Sequence, residues 1–291
     1  MKKPQGYRKR FRQVLPWLIM SASALLLLGG LGLYALLYQP AQPTAKSLEV
    51  VPSDTFNILL MLDAPDSHAP LAFLLIGLDA TDKQLTVMPL PSALATGGGS
   101  TLSEIFNKSG PTDTAAACAA LLGVPVDYHW TQDTTTFAQV VDLFGGVDCD
   151  LPVAASARVP HGAQVQAVAG PQHLNGVKVE AVACYADYAK QVDRLNAQGT
   201  VLRALLQQKC NAQNLDPNVF GNLFDLAQTN FSMNDLLSKG RALEQAASPS
   251  GHVNVLLPVL RNGPNATYSL SPANTARIVK AFGRQNRRYL P

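Results

Sequence analysis

Several groups of residues in the chain have types and spacing that can carry chemistry. Asp63-Ala-Pro-Asp66-Ser-His68 brings two carboxylates and an imidazole into six residues, a donor set suited to a divalent cation. Pro65 fixes a turn there and no partner ligand is evident, so a solvated loop is the simpler reading and Asp63 and Asp66 stand as weak metal candidates. Gly97-Gly98-Gly99 resembles a phosphate loop only superficially, because no Gly-Lys-Ser/Thr follows it. Asp193, Arg194 and Gln198 fall in one helical segment, where Arg194 with Asp193 could be part of a pocket. A surface pair between Asp193 and Arg194 is the competing reading. The five histidines show no His-x-x-x-His, and no Gly-x-Ser-x-Gly elbow is present. A stripe of Arg277, Lys280, Arg284, Arg287 and Arg288 reads as a solvated face that can also touch anionic wall polymer or lipid headgroups.

These groups depend on an organisation that changes sharply after the first 50 of 291 residues. From Val14 to Tyr38 the chain carries no charge over 25 residues, against roughly 20 needed to span a bilayer core. Lys2, Lys3, Arg8, Lys9, Arg10 and Arg12 precede the run without an acidic residue, which orients the N-terminus to the cytoplasm. A cleaved signal peptide would have a shorter apolar core and a small-x-small site, neither of which is seen, so a retained anchor is expected. The predicted layout is a basic tail at 1–13, a transmembrane helix at 14–38, an extracytoplasmic linker at 39–54 stiffened by Pro40 and Pro43, and one outer domain at 55–291. The formal charge of +3 belongs to the tail; the remainder carries 17 basic and 20 acidic residues. Basic residues that face the inner leaflet favour anionic lipid, and nucleic-acid binding is excluded on that ground.

Cys118, Cys149, Cys184 and Cys210 all follow the predicted span, where disulfides can persist, yet none has zinc-ligand spacing. Three pairings are possible and buried free thiols are an equal alternative. The outer domain begins with apolar runs at Phe56–Leu62, Leu71–Leu78 and Gln84–Leu90, read as buried strands that need cover on both faces. Helices are predicted at Thr112–Leu122, Thr134–Phe144, Leu174–Tyr188, Gln191–Cys210, Pro217–Ala227, Met233–Ala247 and Pro272 to about Arg287. Further strands are expected at Val147–Pro152 and Val253–Val259, with an extended or looped excursion over Arg158–Gly170. Strands interleaved with helices predict an α/β fold, an α-β-α sandwich around a central mixed sheet.

Three blocks in this domain are specific. They are Leu121-Leu-Gly-Val-Pro-Val-Asp-Tyr128, Phe137-Ala-Gln-Val-Val-Asp-Leu-Phe-Gly-Gly-Val-Asp-Cys-Asp-Leu-Pro152, and Gly170-Pro-Gln-His-Leu-Asn-Gly176. In order and spacing they resemble the LytR-CpsA-Psr envelope proteins, over roughly Phe56 to Ala247. The resemblance implies an outer α-β-α domain on a membrane helix, and transfer of a glycopolymer from a polyprenyl-pyrophosphate carrier onto peptidoglycan. It also implies magnesium held by carboxylates and phosphate oxygens held by arginines.

Most of the implied charges are replaced in this chain. The family's Arg-x-Asp-Thr falls on Ala69-Pro70-Leu71-Ala72, its Pro-Arg-Asp on Pro91-Ser92-Ala93, and its Lys-x-Asn on Thr101-Leu102-Ser103. Its Arg-x-Arg falls near Cys184-Tyr185-Ala186, and its Arg-x-x-Arg-Gln-Gln on Arg194-Leu195-Asn196-Ala197-Gln198-Gly199, so Arg194 and Gln198 survive with Asp193 beside them. The pattern is a kept scaffold with charge removed. Three readings stay open: a catalytically degenerate envelope protein that binds a prenyl-linked precursor or a partner; an active glycopolymer phosphotransferase that uses magnesium through replaced residues; and a scaffold or regulatory module. The oligomeric state is open in all three.

Overall fold

A computed structural model of the chain describes residues 55–65, 70–160 and 162–283, all within the unit from Val50 to Pro291. The predicted tail, span and linker lie outside the described residues, as do Asp66, His68 and the basic positions from Arg284 onward. Among the described residues no helix is long and apolar enough to cross a membrane.

In chain order the elements are β1 (Phe56–Asp63), β2 (Pro70–Asp79), β3 (Gln84–Leu90), α1 (Leu102–Leu122), β4 (Tyr128–Asp133), α2 (Thr134–Leu143), β5 (Val147–Leu151), β6 (Ala155–Arg158), β7 (Gln164–Ala167) and β8 (Gly170–Leu174). They continue with α3 (Gly176–Cys184), α4 (Gln191–Lys209), α5 (Pro217–Phe224), β9 (Gln228–Thr229), α6 (Met233–Ala247), β10 (His252–Val255), β11 (Leu260–Asn262), β12 (Tyr268–Leu270) and α7 (Asn274–Phe282). Six strands form one mixed sheet in the order β10-β3-β2-β1-β4-β9. β1 runs antiparallel to β2 and parallel to β4, and β10 is parallel to β3. Helices flank this sheet on both sides, the α/β arrangement expected.

The alternation of side chains along β1 explains both layers. Leu59 and Met61 join Phe73, Leu75, Met88 and Leu90 on one face, where Phe106 and Cys118 of α1 and Ile278 and Phe282 of α7 cover them. Phe56, Ile58, Leu60 and Leu62 look to the other face, toward α2, α4 and α6. Burying each such side chain contributes about 1.5–3 kcal/mol. Asn57 is the polar exception at 4% exposure, and its amide is satisfied by the carbonyls of Pro125 at 2.7 Å and Phe282 at 2.9 Å. Its backbone N–H donates to Asp127 at 2.9 Å, so the Val-Pro-Val-Asp block docks against the start of β1.

Several expectations are corrected. α1 begins at Leu102, where Thr101 and Glu104 form a capping box, and a non-helical Gly110 divides it into two segments; the helix predicted from Thr112 is the second, and the first was not predicted. The excursion over Arg158–Gly170 contains the end of the β6–β7 hairpin and leads into β8, which pairs with β5. The helix read from Leu174 to Tyr188 is shorter, since Leu174 ends β8 and Asn175 caps α3. The last long strand stops at Val255, ahead of Pro258, and the chain then makes the β11–β12 hairpin. The helix expected from Pro272 starts at Asn274, and Arg277 and Lys280 are exposed on it. The four cysteines are free thiols, with Cys118 and Cys149 buried.

The block ending in Leu-Asn-Gly176 has a packing reason. The Gly176 N–H donates to Asp142 at 2.7 Å, and a Cβ on Gly176 would run into the backbone carbonyl of Ala138 on α2. We expect Gly176→Ala to cost about 1–3 kcal/mol by overpacking, measured as a shift in urea midpoint at constant m-value.

A second test concerns Asp235 at the start of α6. Burial pushes its carboxyl up, but hydrogen bonds from Ser232, from the Tyr128 hydroxyl at 2.6 Å and from Lys239 outweigh that and hold it at about 2, against 3.8 ordinarily. The folded state therefore binds this proton less readily than the unfolded chain. Its stabilisation is complete above about pH 4 and disappears as pH falls through about 2. The Tm of Asp235→Asn, followed by circular dichroism, should fall less than that of the parent across this window.

Candidate functional site

The carboxyl ends of β1 and β4 lie side by side, with Asp63 paired in register with Asp133. This is where ligands meet open α/β sheets. Asp133 is the N-cap of α2, and both its oxygens are engaged by Thr136, one with the backbone N–H at 2.7 Å and one with the hydroxyl at 2.6 Å. Thr134 is fully buried and lies 3.8 Å from the Cys184 thiol, while the Thr135 hydroxyl donates to the buried Glu180 at 2.7 Å. Tyr185 and Tyr188 pack edge to face at 4.5 Å. Burial pushes the Tyr188 phenol up and the Cys184 thiol up; on the thiol, Thr134 and Arg194 act in the opposite direction and Glu180 reinforces the rise.

Arg194 enters this cluster from the first turn of α4. Its Nη2 donates to the carbonyl of Leu71 at 2.8 Å. Leu71 is the extra residue of a bulge, since Leu62 pairs with Ala72 and Asp63 with Pro70. The guanidinium therefore satisfies a backbone acceptor that the sheet leaves over. Burial lowers its pKa, and among the described residues it has no carboxylate partner within 4.0 Å. Among the described residues Asp193 and Arg194 form no ion pair within 4.0 Å. Gln198 lies one turn further along α4 at 6% exposure, and its Nε2 has no hydrogen-bond partner.

The positions at which the resemblance implies charge have other tasks here. The Leu71 carbonyl accepts from Arg194, Ser92 accepts a backbone bond from Ser103, Ala93 accepts one from Tyr268, and Thr101 caps α1. Asp63 is buried at 6% exposure and has interactions of its own. Among the described residues no three His, Cys, Asp or Glu side chains are grouped to hold a metal ion. Among the described residues, Asp133 is engaged in capping α2 and Arg194 bonds a backbone carbonyl.

Below this mouth the interior is apolar. Leu60, Leu62, Ala72, Leu74, Phe137, Val182 and Gln198 enclose a narrow space of about 30 Å³. Leu60, Phe137, Leu202 and Leu205 also line a larger chamber of about 230 Å³, which runs beneath the sheet to Phe220 of α5 and to Lys209 and Asn214. Trp130 and Gln132 of β4 face this chamber. Sequence reading missed both, because Tyr-His-Trp-Thr-Gln-Asp is too polar to register as an apolar run. The available signal was the alternation of Tyr128, Trp130 and Gln132 after a glycine-capped helix.

The fold and the site define an α/β domain with an apolar chamber under one face of its sheet and a mouth at the strand ends that holds Asp63, Asp133 and Arg194. The chain belongs to the LytR_cpsA_psr family, whose model matches residues 39–270. It is similar to the polyisoprenyl-teichoic acid–peptidoglycan teichoic acid transferase TagV of Bacillus subtilis, with 26% identity over 220 residues, 70% of this chain and 56% of that protein. The chain thus spans about half the length of this relative. A putative transcription regulator from Eubacterium siraeum shares the fold at a TM-score of 0.71 and 18% identity, over 80% of this chain and 93% of that one. The B. subtilis TagV structure gives 0.62 at 20%, over 78% and 95%. TagT bound to LIIa-WTA gives 0.61 at 17%, over 80% and 92%.

Arg194→Met should lower stability by about 1–2 kcal/mol, because the Leu71 carbonyl loses its donor, and no further, because the substitution also removes an unpaired charge. Urea unfolding of the variant measures this.

Proposed function

We propose that the chain is a membrane-anchored envelope protein that binds a lipid-linked cell-wall precursor, or a partner, without transferring glycopolymer. The anchor is the helix at 14–38, with the tail at 1–13 in the cytoplasm and the linker at 39–54 leading to an outer domain at 55–291. The observation that carries this reading is the contrast between the two parts of the site. The apolar chamber persists, with about 230 Å³ of space, while the positions at which the resemblance implies charge are Ala69, Leu71, Ser92, Ala93 and Thr101. A truncated phosphate-pairing contact of this kind costs about 2–5 kcal/mol, and several losses together reduce phosphoryl transfer to background. Arg194 and Gln198, with Asp193 beside them, are the remnant assigned to a phosphate group. The relatives' printed chemistry, a polyisoprenyl-linked teichoic acid and peptidoglycan, supplies the class of precursor.

An active transferase is the second reading, and it draws on Asp63, buried at the end of β1 beside Asp133, with Asp66 three residues on. The test is binding of a labelled polyprenyl pyrophosphate to the full chain in nanodiscs, with and without magnesium, together with phosphate release. We expect binding that magnesium changes by less than about twofold, with no release. Magnesium-dependent binding with turnover would establish the transferase instead. Absence of binding would leave a scaffold that acts through its anchor and partner contacts.

A further inference from the structure

Gln132 has an unusual position in the chamber. It is 7% exposed, on a strand whose neighbours facing the same space are Leu60, Ile58, Ile76 and Phe137. Its Oε1 accepts the indole N–H of Trp130 at 2.8 Å. An indole N–H only donates, so this bond fixes which end of the amide is which, and the NH2 end cannot be exchanged for the oxygen by rotation. That NH2 group, Nε2, is buried with no hydrogen-bond partner among the described residues. Gln198, on the adjoining narrow space, has its Nε2 in the same condition. An unsatisfied buried donor costs about as much as a lost hydrogen bond, and the one that lines the chamber, Gln132 Nε2, asks for an acceptor.

A polyprenyl tail is hydrocarbon and supplies none. A carboxylate would supply one at the cost of burying a charge beside Gln132, whose neighbours in the chamber, Ile58, Leu60, Ile76 and Phe137, are apolar, with Lys209 the one cation of the lining among the described residues. A neutral oxygen within an apolar chain, the ester carbonyl or hydroxyl of a membrane acyl lipid, satisfies the donor without that penalty. We propose that the chamber takes a neutral, oxygen-bearing acyl lipid through Gln132, and that this lipid competes with the prenyl tail for the same space. The proposal rests on the lipid-binding reading above and names the chemistry that the chamber selects.

Trp130 reports on occupancy, because it lines the chamber and is bonded to Gln132; Trp17 is the other tryptophan in the sequence and is removed as Trp17→Phe in the full chain. Three probes of matched medium chain length are titrated in amphipol by tryptophan emission: an alkane, a primary alcohol and a methyl ester. For each, the affinity of the parent is divided by that of Gln132→Leu, a ratio that cancels probe solubility. We expect about a tenfold ratio for the ester and alcohol and a ratio near one for the alkane, which also reports that the variant keeps its chamber. Gln132→Met should behave as Gln132→Leu does. Equal ratios for all three probes would overturn the proposal, as would failure of the ester and alcohol to bind the parent. Polyprenyl phosphate run in the same titration separates the two readings: if it binds while the ester and alcohol show no dependence on Gln132, precursor binding stands and the acyl-lipid proposal falls. If the ester displaces it from the parent but not from Gln132→Leu, the proposal stands.

Discussion

The structure depends on one constraint, that β1 is apolar on both faces. A strand with Leu59 and Met61 on one side and Leu60 and Leu62 on the other cannot remain at an edge or face water, so it must be central and the sheet must be covered twice. The two covers are built differently. α1 and α7 lie close on the Leu59–Met61 face, with Phe106 and Phe282 filling the layer. The opposite layer spreads the same strand's side chains among α2, α4, α5 and α6, and aromatic rings do the spacing there: Trp130 packs against Phe220 and Phe224 at 6.0 and 5.6 Å. Large rings on short helices leave the interior that two long helices would close, and the chamber follows from that.

Much of this frame was legible in the sequence, and the reasons it was are physical. β1, β2 and β3 are uninterrupted apolar runs between turn residues, and Met233–Ala247 matched α6 at both ends because Ser232 begins a capping box with Asp235. The three blocks quoted for the family also proved to be scaffold: Asp127 on Asn57, Asp142 on Gly176, Gly123 in the left-handed conformation that ends α1. What was not legible shares one cause. β4 carries His129, Thr131 and Gln132, and its strand character comes from pairing with β1 rather than from its own composition. The first segment of α1 was missed, whereas Gly110-Pro111 acts as the local stop signal it looks like, with Gly110 outside helical geometry. The candidate site was the least legible part, because Arg194 takes its role from a bulge carbonyl at Leu71, more than a hundred residues away, and Gln132 takes its role from a bond to Trp130 that no spacing announces.

The replaced mouth and the amide-bearing chamber bear on each other. A charged mouth holds a ligand by its head, through contacts that strengthen with low dielectric and need several guanidinium and carboxylate groups together. When those groups are absent, recognition has to come from the buried part of the ligand, where apolar contact is strong but indifferent to identity. Selectivity in such a volume comes from a few polar atoms whose partners must be supplied, since a ligand that lacks them leaves a donor unpaired. Gln132 offers such an atom to the chamber and Gln198 one to the adjoining narrow space. On the reading proposed above, specificity would be carried by these neutral hydrogen-bond donors. At the chamber's rim the Arg194 guanidinium is engaged with the backbone carbonyl of Leu71, and Asp63 and Asp133 lie side by side at the strand ends.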